Sequence, residues 1–155
     1  MTGSVQTATR VALFTRLETA LAADGTFASI GKSSFGWSST LEDTRERVWT
    51  RGGRSQMEIA ALRPGATVLN EKGGEFHVFV EVIIPGVDQQ TVTSRTYDLA
   101  AIVVAQVAQH KTDLGVTGLK WIVPGVVELD AEGSVDRGSA ARVRVAVNYE
   151  ARVEQ

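Results

Sequence analysis

The sequence predicts an α+β fold, a mainly antiparallel sheet with two helices packed on one face. Along the 155 residues, the apolar patterns run in the order helix, several strands, helix, two strands, which is typical of this class. The closing stretch 141–153 alternates apolar and polar residues, as a half-buried strand does. A chain of this length buries about 68–70% of its unfolded surface, so we expect a single domain, 1–155.

Composition excludes several kinds of function. The net charge of −2 gives no bulk attraction to nucleic acid or to an anionic membrane. With 0 cysteines, the chain has no disulfide, thiol nucleophile or cysteine-based metal site. No apolar run approaches the roughly 18 residues of a membrane span, and the N-terminus lacks a secretion-signal pattern. We therefore expect no membrane partner and a protein made in a cytoplasm.

The N-terminal third begins with a predicted helix over residues 7–23. Its apolar residues recur at spacings of three and four, which gives one buried stripe: Val11, Phe14, Leu17 and Leu21. Residues 26–44 are rich in Gly and Ser but contain large apolar side chains. We interpret 26–44 as an irregular segment, either an ordered loop or short pieces of strand, because a flexible linker would not need those side chains.

Residues 45–84 are predicted to form strands. The pattern indicates a strand over Arg45–Arg51, a turn at Gly52-Gly53 and a strand over Gln56–Leu62. The sequence Lys72-Gly73-Gly74 predicts a hairpin turn. The next strand, Phe76–Ile84, is apolar on both faces, which places it in the sheet centre or under a helix.

The C-terminal third contains the second helix, over residues 94–111, and a terminal β-hairpin over 119–153. Thr93 or Ser94 is the predicted helix cap. Proline cannot donate to a strand ladder, so Pro124-Gly125 predicts an edge or a bulge.

If the hairpin is symmetric about a polar loop at 131–138, its register follows. Val127 then faces Val143, and Glu128 lies opposite Arg142.

Motifs for chemistry are weak. Gly31-Lys32-Ser33 looks like the end of a phosphate-binding loop, but the motif needs glycine at position 26, which is threonine. His77 and His110 are the 2 histidines, and neither has a partner at metal-ligand spacing. We predict no enzyme, no cofactor and no metal. A small enzyme or ligand-binding domain using His77, Glu81 or the Lys32 loop is the less favoured alternative.

Arginine and tryptophan, which are enriched at interface hot spots, cluster in two strands. Trp49 lies between Arg47 and Arg51, and could be a core residue or an interface anchor. The arginine face of the last strand is either solvated or forms ion pairs between subunits. The predicted subunit or partner interface is Arg47, Trp49, Arg51, Glu128, Arg142, Arg144 and Arg152.

Four features together resemble a known family. They are the amphipathic helix at 11–23, the long strand ending at Pro85-Gly86, the sequence Tyr97-Asp98-Leu99-Ala100 opening the second helix, and the closing strand R-V-R-V-A-V-N-Y-E-A-R-V. In length and pattern, over residues 7–153, the chain resembles the tail terminator proteins of long, non-contractile-tailed bacteriophages.

The resemblance implies a structural virion protein in the tail that forms a homohexameric ring. Such a ring caps the tail tube protein, ends its polymerisation and joins a head-side connector or completion protein. Phage DNA passes through the hole without sequence-specific binding, and the mild negative charge is compatible with that passage. A second hypothesis is another head–tail junction component, either a completion protein or a tube-like subunit.

Overall fold

One six-stranded sheet carries both helices. A computed structural model describes residues 5–22, 31–33, 36–41, 44–59, 69–109, 114–135 and 138–152. Within these residues the elements are α1 (Val5–Ala22), β1 (Gly31–Ser33), β2 (Gly36–Leu41), β3 (Thr44–Ile59), β4 (Leu69–Pro85), α2 (Gln89–Gln109), β5 (Leu119–Val135) and β6 (Gly138–Ala151). The strand order is β1-β2-β3-β4-β6-β5, and every neighbouring pair is antiparallel. The predicted α+β class is confirmed.

Both helices pack on one face of the sheet, which we call the covered face. The alternation in β6 is confirmed, since its odd-numbered residues from Ser139 to Ala151 are buried and those between them are half-buried. Val78 of β4 pairs with Val145, and Val80 pairs with Val143, so the valines of the two strands form one apolar layer. β4 lies inside the sheet, as its two apolar faces predict.

Each helix packs an apolar stripe against this layer, and one arginine of each helix binds a residue of β3. The buried residues of α1 include Leu13, Phe14, Leu17 and Leu21, and those of α2 include Leu99, Val103 and Val107. Arg10 of α1 donates to the hydroxyl and the carbonyl of Thr50, and its partial burial lowers its pKa. Arg95 of α2 binds both carboxylate oxygens of Glu46, at 2.7 and 3.1 Å.

The helix starts differ from the prediction. The first helix starts at Val5 rather than residue 7. α2 begins at Gln89 rather than 94, because Asp88 caps it: the Asp88 carboxylate accepts from the Thr91 hydroxyl, and its carbonyl accepts from Val92 N–H at 3.3 Å. The Thr91 hydrogen bond holds the pKa of Asp88 below its ordinary value. Thr93 and Ser94 are therefore not caps. Residues 110–111, which include His110, lie outside the described residues.

Two glycine pairs predicted as turns lie inside strands. β3 continues through Gly52-Gly53 with an irregularity before Ser55, and β4 runs through Gly73-Gly74. A Cβ on Gly74 would lie 2.1 Å from the Arg54 carbonyl oxygen. Glycine is therefore needed here for close approach of the β3 and β4 backbones, not for chain reversal.

The hairpin register also differs from the prediction, by two residues. Val127 pairs with Val145 rather than Val143, and Glu128 pairs with Arg144 rather than Arg142. The predicted loop at 131–138 is mostly strand, since β5 extends to Val135 and β6 starts at Gly138. A shift of two keeps every side chain on its predicted face.

Two local expectations concern the sheet edges. β5 is an edge strand with a register shift between Pro124 and Val127, as the Pro-Gly pair predicts. In residues 26–44, predicted to be irregular, the described parts include the short strands β1 and β2, and β1 is the other edge.

Candidate assembly interface

The second face of the sheet is covered by no helix of the described residues, and we call it the open face. One row of paired residues crosses it from β3 to β5, in the order Trp49, Phe79, Arg144 and Glu128. These residues alternate in their strands with the buried valines, so the pleat directs them away from the helices. Six of the seven predicted interface residues lie on this face.

An aromatic stack flanked by arginines forms the β3 half of the open face. The rings of Trp49 and Phe79 are stacked with centroids 5.3 Å apart and planes at 14°. The Arg47 guanidinium lies 4.2 Å from the Trp49 centroid, and that of Arg51 lies 5.4 Å from the Phe79 centroid. Trp49 is half-buried, while both arginines are exposed. The arginines bind the rings by cation–π attraction, each worth about 0.5–1 kcal/mol at an exposed site.

Ion pairs form the β6 half of the open face. Arg142 donates to Asp130 at 2.7 Å and lies 3.8 Å from Glu81, and Arg144 is bonded to Glu128. The Glu128 hydrogen bond raises the pKa of Arg144. The side chain of Glu128 is 51% exposed, so solvent screens this pair.

The sequence predicted Glu128 opposite Arg142, which is wrong. Asp130 takes the place of Glu128 as the partner of Arg142, because the register is shifted.

The last predicted residue, Arg152, lies apart from the other six. It follows β6, and its N–H donates to the Gly118 carbonyl at 2.7 Å. Ten residues of strand separate it from Arg142, a distance of about 33 Å. Arg152 therefore belongs to the opposite end of the sheet.

The residues of the enzyme alternative lie in two strands, with His77 and Glu81 in β4 and Lys32 in the edge strand β1. His77 lies 3.6 Å from a Glu75 carboxylate oxygen and tilts against the Phe79 ring. Glu81 is four residues further along the strand, about 13 Å away, where it faces Arg142. Among the residues that the structure describes, no group of three or more His, Asp or Glu side chains could hold a metal ion.

Trp121 lies near the other end of the hairpin. It is half-buried, its indole N–H donates to Glu150, and Lys120 lies 3.8 Å from the same carboxylate. Trp121 and Glu150 line a shallow hollow of about 520 Å³, which Gly73-Gly74 also line. The side chain of Trp37 lies outside the description, although its backbone pairs with Val48.

An exposed apolar strip along the edge strand β5 was missed by sequence reasoning. We call it the β5 margin: Val123, Val126, Val127 and Leu129, which are 38%, 63%, 37% and 39% exposed. Monomeric proteins rarely leave such residues grouped on a long edge strand. Pro124-Gly125 signalled an edge or a bulge, but it did not show which side chains of the strand are exposed.

Comparisons with known proteins give no family to set beside this geometry. No family model, curated protein or solved structure matches the chain. Neither helix of the described residues is long and apolar enough to cross a membrane.

Proposed function

We propose that the chain is a structural subunit that assembles with copies of itself into a ring, and that the ring caps the tail tube of a long-tailed bacteriophage. The ring ends polymerisation of the tube protein and offers its other surface to a head-side connector or completion protein. In this proposal the chain acts by shape and association rather than by catalysis, and it resides in the virion tail.

The observation that carries the proposal is the open face of the sheet. It combines a half-buried tryptophan with exposed arginines above aromatic rings, and it adjoins the apolar β5 margin at the edge of the sheet. Aromatic and arginine side chains supply most of the energy at protein–protein hot spots. Exposed apolar side chains on an edge strand favour burial against another chain. Both properties fit a surface that binds protein.

The pattern resemblance to tail terminator proteins supports the more specific part of the proposal. The alternating last strand and the long strand that ends at Pro85 are present as elements of the sheet. One of the four features needs correction, because Tyr97 to Ala100 lie in the interior of α2 and do not open it. The other three features need no such correction.

Ring closure gives the proposal its physical mechanism. A sheet with open edges can add strands without limit, whereas a closed cyclic assembly uses each surface once and leaves none free. A closed ring on the last tube ring would block addition of further tube subunits. Its hole would pass DNA without gripping the phosphates, consistent with the slightly negative chain.

Electron microscopy of phage particles lacking this protein tests the proposal. We expect tails of uncontrolled length, because nothing stops tube growth. Unattached tails of normal length would contradict a terminator and indicate a completion protein instead. Adding back a Lys32→Ala variant serves as a control and should restore tail length, whereas failure of that folded variant would favour the enzyme alternative.

A further inference from the structure

Charge is unequally distributed across the open face. Arg45, Arg47, Arg51 and Arg54 of β3 are all exposed, and none forms an ion pair with a described carboxylate. The one acidic residue among residues 44–55 of β3, Glu46, is buried against Arg95 on the covered face. We call the exposed residues Arg45, Arg47, Arg51 and Arg54, together with Trp49, the β3 surface. It is strongly basic and contains one large aromatic ring.

The β5 side of the sheet has the opposite character. Residues 126–133 of β5 read V-V-E-L-D-A-E-G, with three acidic and no basic residues, and all of them are exposed. On the open face, three carboxylates (Glu81, Glu128 and Asp130) meet two arginines, Arg142 and Arg144, which leaves a local charge of −1. Glu132 is on the other side of the strand, where it accepts a hydrogen bond from Thr93 of α2. The same stretch contains most of the β5 margin. This side is therefore acidic and aliphatic.

The two regions are too far apart to meet within one molecule. β3 and β5 are separated by β4 and β6, so three strand spacings of about 4.8 Å lie between them. Each region could instead contact the oppositely charged region of a second copy. Contact between unlike surfaces is heterologous, and a heterologous contact that closes produces a ring.

We infer that neighbouring copies associate head to tail, with the β5 margin of one copy packed on the β3 surface of the next. This inference rests on the proposed ring and names the surfaces that form it. Val123 and Val126 pack against the exposed edge of Trp49, and Glu128 and Asp130 approach Arg47 and Arg51. The guanidinium groups remain over their rings while their free N–H groups donate to the incoming carboxylates.

The bulge in β5 explains why the contact uses side chains rather than an added strand. Pro124 has no N–H to donate, and the register breaks between Pro124 and Val127. Both features block extension of the ladder at the middle of this edge. The receiving strand, β3, is also not an edge, since β2 pairs with it along Gly36–Leu41. Copies of the chain can therefore associate through side chains without adding strands to one sheet indefinitely.

A charge-swap experiment tests the inference. The first variant carries Arg47→Glu and Arg51→Glu, and the second carries Glu128→Arg and Asp130→Arg. Each is expected to lose the wild-type oligomer in sedimentation velocity, because its neighbouring surfaces then repel. An equimolar mixture should regain the wild-type mass, since the basic β5 side of one variant fits the acidic β3 side of the other. Arg16→Glu, on the exposed part of α1, is the matched control and should keep the wild-type mass.

The outcomes separate this contact from the ring proposal. Circular dichroism melts confirm that each variant is folded before its mass is interpreted. An oligomeric wild type whose mass survives either double swap, or whose separated variants fail to recover on mixing, overturns the contact and leaves the ring proposal standing. A wild-type chain that stays monomeric from micromolar to millimolar concentration contradicts both.

Discussion

The two faces of the sheet contain the same kinds of interaction in different surroundings. On the covered face, the ion pair of Glu46 and Arg95 has side chains only 5% and 20% exposed, at the edge of a fully buried valine layer. On the open face, Arg142 and Asp130 have the same 2.7 Å separation with side chains 38% and 23% exposed. Distance alone therefore does not rank these pairs, and burial decides what each contributes.

This difference in burial indicates that the two faces of the sheet have different roles. Removing one partner of a buried pair leaves a charge in a poorly solvated site, whereas removing one partner of an exposed pair leaves a hydrated charge. The covered face holds the fold together. We expect the open face to accept substitutions without unfolding of the chain, as a binding surface requires.

Among the variants that test this comparison, Val145→Asp is expected to cause the largest loss of stability. The side chain of Val145 is fully buried between β4, β5 and the helices, so an aspartate there would be an unpaired buried charge. We expect a loss of more than about 4 kcal/mol, a large part of the total stability of a domain. Chemical denaturation or circular dichroism would show an unfolded chain. Arg144→Asp, one residue earlier on the open face, should remain folded, and an unfolded control would contradict the division between faces.

Arg95→Met is the next largest change, and it sharpens the comparison between ion pairs. Methionine keeps the aliphatic part of the side chain and removes the charge that meets Glu46. We expect a loss of about 3–5 kcal/mol in the free energy of unfolding, measured by urea denaturation. Arg142→Met removes the partner of Asp130 and should cost about 0–1 kcal/mol. Equal losses in the two variants would show that burial does not set their strengths.

The neighbouring residues Val48 and Trp49 allow a paired test of smaller size. Val48 is fully buried on the covered face, and Val48→Ala should cost about 2 kcal/mol through lost apolar burial. Trp49→Ala removes the aromatic stack on the open face, which costs about 0.5–1.5 kcal/mol in addition to the apolar burial that the half-buried ring loses.

The oligomer should respond to only one of these two variants. We expect Trp49→Ala to lose the self-associated state in sedimentation velocity and folded Val48→Ala to keep it. If Val48→Ala dissociates the oligomer and Trp49→Ala does not, the assignment of tasks to faces is wrong.

Asp88→Asn gives the smallest expected effect. It tests the contribution of one capping hydrogen bond through the pH dependence of stability. The hydrogen bond from Thr91 lowers the pKa of Asp88 in the folded state from an ordinary value of 3.8. A lowered folded pKa stabilises the protein above the unfolded value, and this stabilisation is lost as the pH falls through the folded value. Asparagine keeps the capping oxygen without the charge. The urea midpoint of the variant should fall slightly below that of wild type at neutral pH and converge with it in acid; a constant difference would contradict the cap.

Alternation patterns predicted the fold better than turn signals did. Val143, Val145 and Val147 were assigned to the correct face because a strand has a period of two, whatever its partner. Gly52-Gly53 and Gly73-Gly74 were misassigned because glycine permits close backbone approach as well as chain reversal. Local sequence does not distinguish these two uses, since the distinction depends on which strand lies alongside.

The candidate interface was also only partly predictable. Arg47, Trp49 and Arg51 could be found from their spacing, because every second residue of a strand shares a face. The β5 margin could not, since Val126 and Val127 read like ordinary strand residues. Their exposure results from the position of β5 at the edge, with the bulge at Pro124-Gly125. Strand order is a long-range property that one sequence does not contain.

The central claim is that copies of the chain meet through the open face, with β3 of one against β5 of the next. The chain has 0 cysteines, so introduced cysteines would be its only thiols. Arg47→Cys and Val126→Cys, placed together in one chain, should give a ladder of covalent oligomers with a short bis-maleimide, while either cysteine alone should give none. Single-cysteine dimers, or a doubly substituted chain that stays at the mass of one subunit, would contradict the account.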